Sequence, residues 1–124
     1  LINILRRKEF RMYNAIKINA EKQTFEYVKV ENGLQSIYEH IGCTMIEAAT
    51  YLGTDCIYVD EEGIWNNRGM IAFAFQVSGA HQTFIGNGLV VGTDKQGNSI
   101  SPNIMIDELK SRVSFLRIPM GRIK

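Results

Sequence analysis

Alternation of apolar and polar positions divides the chain into short strands, with helical spacing in only two places. Residues 13–19, Tyr-Asn-Ala-Ile-Lys-Ile-Asn, place Ile16 and Ile18 on one side. Residues 24–30, Thr-Phe-Glu-Tyr-Val-Lys-Val, follow after the polar turn 20–23. There Phe25 and Tyr27 compete with Val28 and Val30 for the core. Two such runs across a short polar link predict a hairpin. Leu34, Ile37, Tyr38 and Ile41 then switch to the i, i+3, i+4, i+7 spacing of a helix. Asn32 is its expected N-cap and Gly42 its stop.

Residues 43–52 and 55–60 predict a second strand pair around Leu52-Gly53-Thr54, with Glu61-Glu62-Gly63 as a turn. Residues 71–77, Ile-Ala-Phe-Ala-Phe-Gln-Val, fit a strand or a buried helix. Residues 84–92 read as an apolar strand bent or bulged at Gly86-Asn87-Gly88. Asp94-Lys95-Gln96-Gly97 is a hairpin turn returning into 98–100. Ser101-Pro102 opens a last helix, with Ser as N-cap and Pro in the first turn. Ile106, Leu109, Val113 and Leu116 form its apolar stripe and Pro119 ends it. Acidic Asp107 and Glu108 come early and basic Lys110 and Arg112 late, which suits the helix dipole. The fold class is therefore α+β: an antiparallel β-sheet with a short middle helix and a C-terminal helix.

The 124 residues make a single domain by length, large enough to bury a core without disulfides. Residues 12–124 are expected to form it, preceded by a flexible basic extension at residues 1–11. No apolar run approaches the roughly 20 residues of a membrane span. The order of apolar and basic residues at the N-terminus is the reverse of a secretory signal. Cytoplasmic residence is the expectation. Cys43 and Cys56 with His40 and His81 fit no zinc spacing, so two buried thiols are expected and no metal or cofactor.

Charge is unevenly spread. Residues 12–109 carry five basic and twelve acidic side chains, whereas residues 110–124 carry five basic and none acidic. Basic ends can meet phosphate groups or an acidic protein face.

Candidate chemistry is sparse. Asp60, Glu61 and Glu62 cluster at a strand end and could hold a hard cation, but a solvated turn is the simpler account. Gly86-Asn87-Gly88 has half a dinucleotide fingerprint, yet a strand follows it rather than a helix. No nucleophile motif surrounds either cysteine, and no catalytic residue is assigned. Asn66-Asn67-Arg68-Gly69 has the makings of a binding loop, with Arg68 suited to a phosphate or a base. Free backbone amides near Pro102, Asn103 and Ile104 would offer a phosphate site at the start of the last helix. Arg112 and Arg117 could add positive charge. Phe73, Phe75 and Phe84 could stack on a purine, at least two of the three being expected in the core.

The run of elements from Asn14 to Asp107 resembles a family of small uncharacterised domains common in phages, prophages and clostridial genomes. The opening Ala-Ile-Lys-Ile strand, Ile41-Gly42, Val59-Asp60-Glu61-Glu62-Gly63 with Asn67-Arg68 after it, and Gly88-Leu89-Val90-Val91-Gly92 carry the likeness. The Ala- and Phe-rich stretch 70–77 departs from it. In size, element order and general character the chain is also similar to phage Thoeris anti-defence sponges. That family binds cyclic ADP-ribose-type signals of bacterial TIR-domain proteins without cleaving them, as symmetric oligomers with intersubunit pockets. Some of its members also bind cyclic oligonucleotides. The resemblance implies a non-enzymatic nucleotide binder in the bacterial host cytoplasm, a homo-oligomer of two or more subunits. It implies Arg68, Asn103, Phe84, Arg112 and Arg117 as ligand contacts, with Arg68 on a phosphate or base, Asn103 at a helix-end phosphate site, and a Phe such as Phe84 with Arg112 or Arg117 clamping the adenine. The other reading is an accessory factor or inhibitor that binds a protein or nucleic acid through its basic ends. A metal-dependent enzyme using Asp60–Glu62 is the third.

Overall fold

The computed structural model describes residues 12–31, 33–63, 69–80 and 82–120. The fold is α+β, mostly antiparallel strand with two short helices among these residues. Strands β1 (Met12–Asn19) and β2 (Thr24–Glu31) form the expected hairpin. Helix α1 (Leu34–Ile41) follows, then the pair β3 (Ile46–Leu52) and β4 (Asp55–Asp60). Next come β5 (Ile71–Val77), β6 (Thr83–Ile85), β7 (Gly88–Thr93) and β8 (Ser99–Ile100). Helix α2 (Ile106–Arg112) and β9 (Val113–Pro119) complete the order.

The strands divide into two sheets. The larger runs β2-β1-β7-β4-β3, with β8 added on β7; the smaller runs β6-β5-β9. Neighbouring pairs are antiparallel in both. The larger sheet is covered on both faces. On one side Ile37 and Ile41 of α1 pack on Ala15, Val30, Leu89 and Val91. On the other, Ile16, Ile18, Ile57, Val59 and Val90 meet Phe75, Val77 and Phe84 of the smaller sheet. Burial on both faces explains why β7 is a continuous apolar run rather than an alternating one. The three layers are helix, large sheet and small sheet.

Gly42 ends α1 in the left-handed conformation (φ 83°), its N–H donating to the Tyr38 carbonyl. This is the expected glycine stop. Asn32, expected as the N-cap, lies outside the described residues; Gly33 occupies the cap position without a side-chain bond.

Two expectations are corrected. Residues 84–92 are not one bent strand. Gly86-Asn87-Gly88 is where the chain leaves the small sheet at β6 and enters the large sheet at β7. The C-terminal helix is shorter than its apolar stripe implied. It starts at Ile106, not after Ser101, and gives way to a strand at Val113. Val113 and Leu116 fit a helical stripe, but Val113 and Phe115 also alternate. In the strand they lie opposite Val77 and Phe75 and close the inter-sheet core. Residues 71–77 settle as strand, pairing β9 along their whole length.

Ser101-Pro102 opens no helix because a distant carboxylate takes the amides there. Asp55, 1% exposed, accepts the N–H of Asn103 at 2.9 Å and that of Ile104 at 2.8 Å. The loop comes so near β7 that a Cβ on Gly92 would lie 2.6 Å from the Ser101 carbonyl oxygen and 3.2 Å from Asp55 Oδ1.

Replacing Asp55 with Asn would turn an NH2 toward one of the two N–H donors, of which that of Ile104 is buried and that of Asn103 partly so. A loss of about 2–4 kcal/mol is expected in urea unfolding. At the other end of β7, a Cβ on Gly88 would stand 2.7 Å from Cζ of Phe75. Gly88→Ala should cost about 1–3 kcal/mol by overpacking, and Phe75→Leu should recover part of that loss in the double variant.

Candidate functional site

Three chain crossings join the two sheets, and two lie at the same end. Val59 and Gly88 are register partners, as are Ile18 and Gly88. The end of β1, the end of β4 and the start of β7 therefore coincide. There the chain departs toward β5 after Asp60 and returns from β6 through Gly86 and Asn87. Between these crossings opens a cavity of about 490 Å3. Asn19, Ala20, Glu21 and Lys22 of the hairpin turn form one wall, Ile41 and Gly42 of α1 another, and Asp60, Gly63, Phe73, Ile85, Gly86 and Asn87 the rest.

Local bonding holds this wall. Asn19 Oδ1 accepts the Lys22 N–H at 3.0 Å, shaping the hairpin turn. Asn87 Oδ1 accepts the Ala20 N–H at 3.1 Å, tying the β6–β7 crossing to the end of β1. Gly86 adopts φ 98° and donates its N–H to the Phe73 carbonyl. Asp60 Oδ1 accepts the Glu62 N–H at 2.9 Å, closing a turn that brings Gly63 against β6. A Cβ on Gly63 would lie 2.6 Å from the Ile85 carbonyl oxygen. The Asp-Glu-Glu-Gly motif thus has a structural reason: the aspartate builds the turn and the glycine permits the approach. No group of three or more His, Cys, Asp or Glu side chains is arranged to hold a metal among the described residues.

Of the five residues expected to bind a ligand, the four among the described residues do not converge. Arg68, with the rest of the Asn66-Asn67-Arg68 loop, lies outside the described residues. Asn103 sits beside the start of β4, while the cavity is at its end, about 17 Å away over five residue steps. Its side-chain amide donates to Thr54 Oγ1 at 2.8 Å, and its backbone N–H is taken by Asp55. The expected phosphate site is filled by the protein's own carboxylate. Phe84 is corrected from stacking face to core residue. It is 3% exposed and packs at 5.4 Å between ring centroids on Phe75. Arg112 pairs with Glu108 at 3.6 Å on the exposed side of α2. Arg117 reaches a lining residue: its guanidinium stands 5.9 Å from the ring centroid of Phe73.

Sequence reasoning placed Phe73 among the stacking candidates but missed Asn19, Lys22 and Asn87. Their signal was weak, an Asn at a strand end and a Gly-Asn-Gly bend, each with an ordinary structural use.

Of the two thiols expected to be buried, Cys56 is buried and Cys43 only partly so. Burial pushes Cys56 up to about 11. Cys43 is raised chiefly by burial, with the Asp60 charge adding to it. Burial raises the phenols of Tyr13 and Tyr58 in the same direction.

The described residues thus make a three-layer α+β domain with a ligand-sized cavity at one end of its sheet sandwich. A family model described as "Domain of unknown function (DUF3846)" matches residues 12–114, and the chain belongs to that family. No curated protein and no solved structure matches the chain.

The raised Cys56 sets an alkaline limit. The folded state keeps this proton up to about pH 11, whereas the unfolded thiol loses it near 9, the ordinary value for the group. Its contribution is complete below pH 9 and falls as pH rises toward 11. About 2–3 kcal/mol should be lost across that window. Urea unfolding of wild type and Cys56→Ala at pH 8 and pH 10.5 checks this; the variant's stability should decline less steeply.

Proposed function

We propose that this protein is a binding domain that captures a nucleotide-type small molecule in the end cavity and holds it unchanged. The observation that carries the reading is the cavity itself. Its volume of about 490 Å3 falls within the roughly 300–1,000 Å3 typical of small-molecule sites. Its lining combines an aromatic side chain, a lysine and two carboxamides with the apolar Ile41 and Ile85. A planar base with a sugar or phosphate attached asks for that mixture: a face to lie on, and a few donors to fix its orientation.

The ligand class follows from the likeness to phage anti-defence sponges, which makes a cyclic ADP-ribose-type signal the first compound to try and cyclic oligonucleotides the second. On this reading the protein is a phage or prophage product acting in the bacterial cytoplasm as a homo-oligomer, and it blocks TIR-based signalling by sequestration. A sponge must out-compete the signal's receptor, which requires nanomolar affinity, about −12 kcal/mol. On this reading Phe73, which lines the cavity, takes the stacking place expected of Phe84, and Arg117, one arginine of the expected adenine clamp, has its guanidinium 5.9 Å from the Phe73 ring centroid.

The test is capture and release. The pure protein is mixed with a panel of cyclic ADP-ribose isomers and cyclic nucleotides, washed and heat-denatured, and the released compounds are identified by mass spectrometry. Intact release of one compound is expected. A cleaved product would make the protein an enzyme. Retention of nothing would favour the reading in which the basic ends bind a protein or nucleic acid. For the compound retained, Phe73→Ala should weaken binding roughly 5- to 150-fold, the usual value of one base-stacking contact, and thermal unfolding would show whether the fold is kept.

A further inference from the structure

Of the asparagines whose side chains make described hydrogen bonds, two spend their amide hydrogens within the protein. Asn98 Nδ2 donates to Asp94 Oδ2 at 3.2 Å, and Asn103 Nδ2 donates to Thr54 Oγ1 at 2.8 Å. Asn19 and Asn87 differ. Each has its carbonyl oxygen fixed by a backbone N–H, from Lys22 and from Ala20 respectively. Neither donates its NH2 to a protein acceptor among the described residues. Both line the cavity. They are also neighbours, since Asn87 bonds the residue that follows Asn19.

The anchoring bonds decide which way each carboxamide faces. A backbone N–H cannot face an NH2, so the oxygen must be turned to the wall. The NH2 is then the part of each side chain left to meet a ligand. Ligand-free, two such donors are satisfied by water at the open cavity. Covered by a ligand without acceptors, they would be desolvated and unpaired, which is costly. The pair therefore selects for a ligand edge that carries acceptors.

We infer that Asn19 and Asn87 are the specificity-determining donors of the cavity and that they read the acceptor edge of a nucleobase lying against Phe73. The inference rests on the cavity being the ligand site. A base is favoured over a bare phosphate by the rest of the lining. Glu21 stands beside Lys22 in one wall and offsets its charge for a free anion. Phe73 adds a ring for a planar ligand. A purine offers ring-nitrogen acceptors that two adjacent NH2 groups can meet.

The structure also supplies the variant that separates binding from folding. In Asn19→Asp and Asn87→Asp an oxygen still accepts the same backbone N–H, and only the outward NH2 becomes an acceptor. The probes are cyclic ADP-ribose and the neutral nucleoside adenosine, whose response is free of charge repulsion with the new carboxylate. Binding is followed by calorimetry and by side-chain NH2 signals in 15N-labelled protein, assigned by their disappearance in the variants. Wild type is expected to show shifts of the Asn19 and Asn87 amide pairs, with those of Asn98 and Asn103 unmoved. Each variant should unfold within a few degrees of wild type and bind adenosine at least tenfold more weakly. If wild type binds and the two variants match it within twofold, the donor assignment is overturned while the cavity reading stands. If shifts appear at Phe73 but not at the two amides, the assignment falls in the same way. If wild type binds neither probe, and inorganic phosphate shifts the amides instead, the site reads an anion and the base assignment is wrong. If none of the three compounds moves any cavity signal, both the inference and the function proposed for the cavity fall.

Discussion

Burial of the larger sheet on both faces is the constraint on which the rest of the structure depends. A sheet covered on one side only could be built from hairpins alone. Here α1 covers one face and the three-stranded sheet the other, so the chain must leave the first sheet and return to it. It leaves after β4, returns between β6 and β7, and leaves again after β8. Two of these crossings meet at one end and frame the cavity. The third runs past the start of β4 at the opposite end, where Asp55 binds it.

β7 shows what such a position demands. Leu89 and Val91 point to the helix and Val90 to the small sheet. The remaining positions facing the small sheet, Gly88 and Gly92, have no side chain because the neighbouring layer comes too close. Phe75 fills the space over Gly88, and the Ser101-Pro102 backbone that over Gly92. The strand is thus pinned at both ends by close approach rather than by side-chain size. At the Gly92 end its register partner Asp55 takes the backbone N–H groups of a crossing that has begun neither helix nor strand. Its carboxylate is buried, and two charge-assisted backbone bonds compensate for its desolvation.

This arrangement sets how much could be read from the sequence. Elements that depend on local pattern were legible. The β1–β2 hairpin, α1 with its Gly42 stop, the β3–β4 pair and the Asp94–Gly97 turn all follow from alternation, helical spacing and turn chemistry. The stretch 113–119 was not, because Val113 and Leu116 continue the stripe begun at Ile106 and Leu109. The strand prevails because β5 has a full edge for it to pair with, and pairing across that separation leaves no local trace. The helix start after Ser101 failed for a similar reason. The capping signature is local, whereas the carboxylate that takes the amides is 48 residues away in sequence.

The site was harder still, since its residues have structural duties that mask a binding role. Asn19 looks like the end of a strand and Asn87 like the tip of a bend, and each does shape the backbone with its carbonyl oxygen. A carboxamide has two ends, however, and only one is used by the fold. Where the NH2 end is bonded internally, as in Asn98 and Asn103, it is not left for a ligand. Where it is left at a cavity wall, the fold has oriented a donor rigidly without consuming it. Such pre-orientation reduces the entropy lost when a ligand docks, and it arises here at the crossings that two-sided burial imposes. The cavity and its donors are in that sense a by-product of the layer architecture: the bonds that close the sandwich at this end also aim the groups available to a ligand.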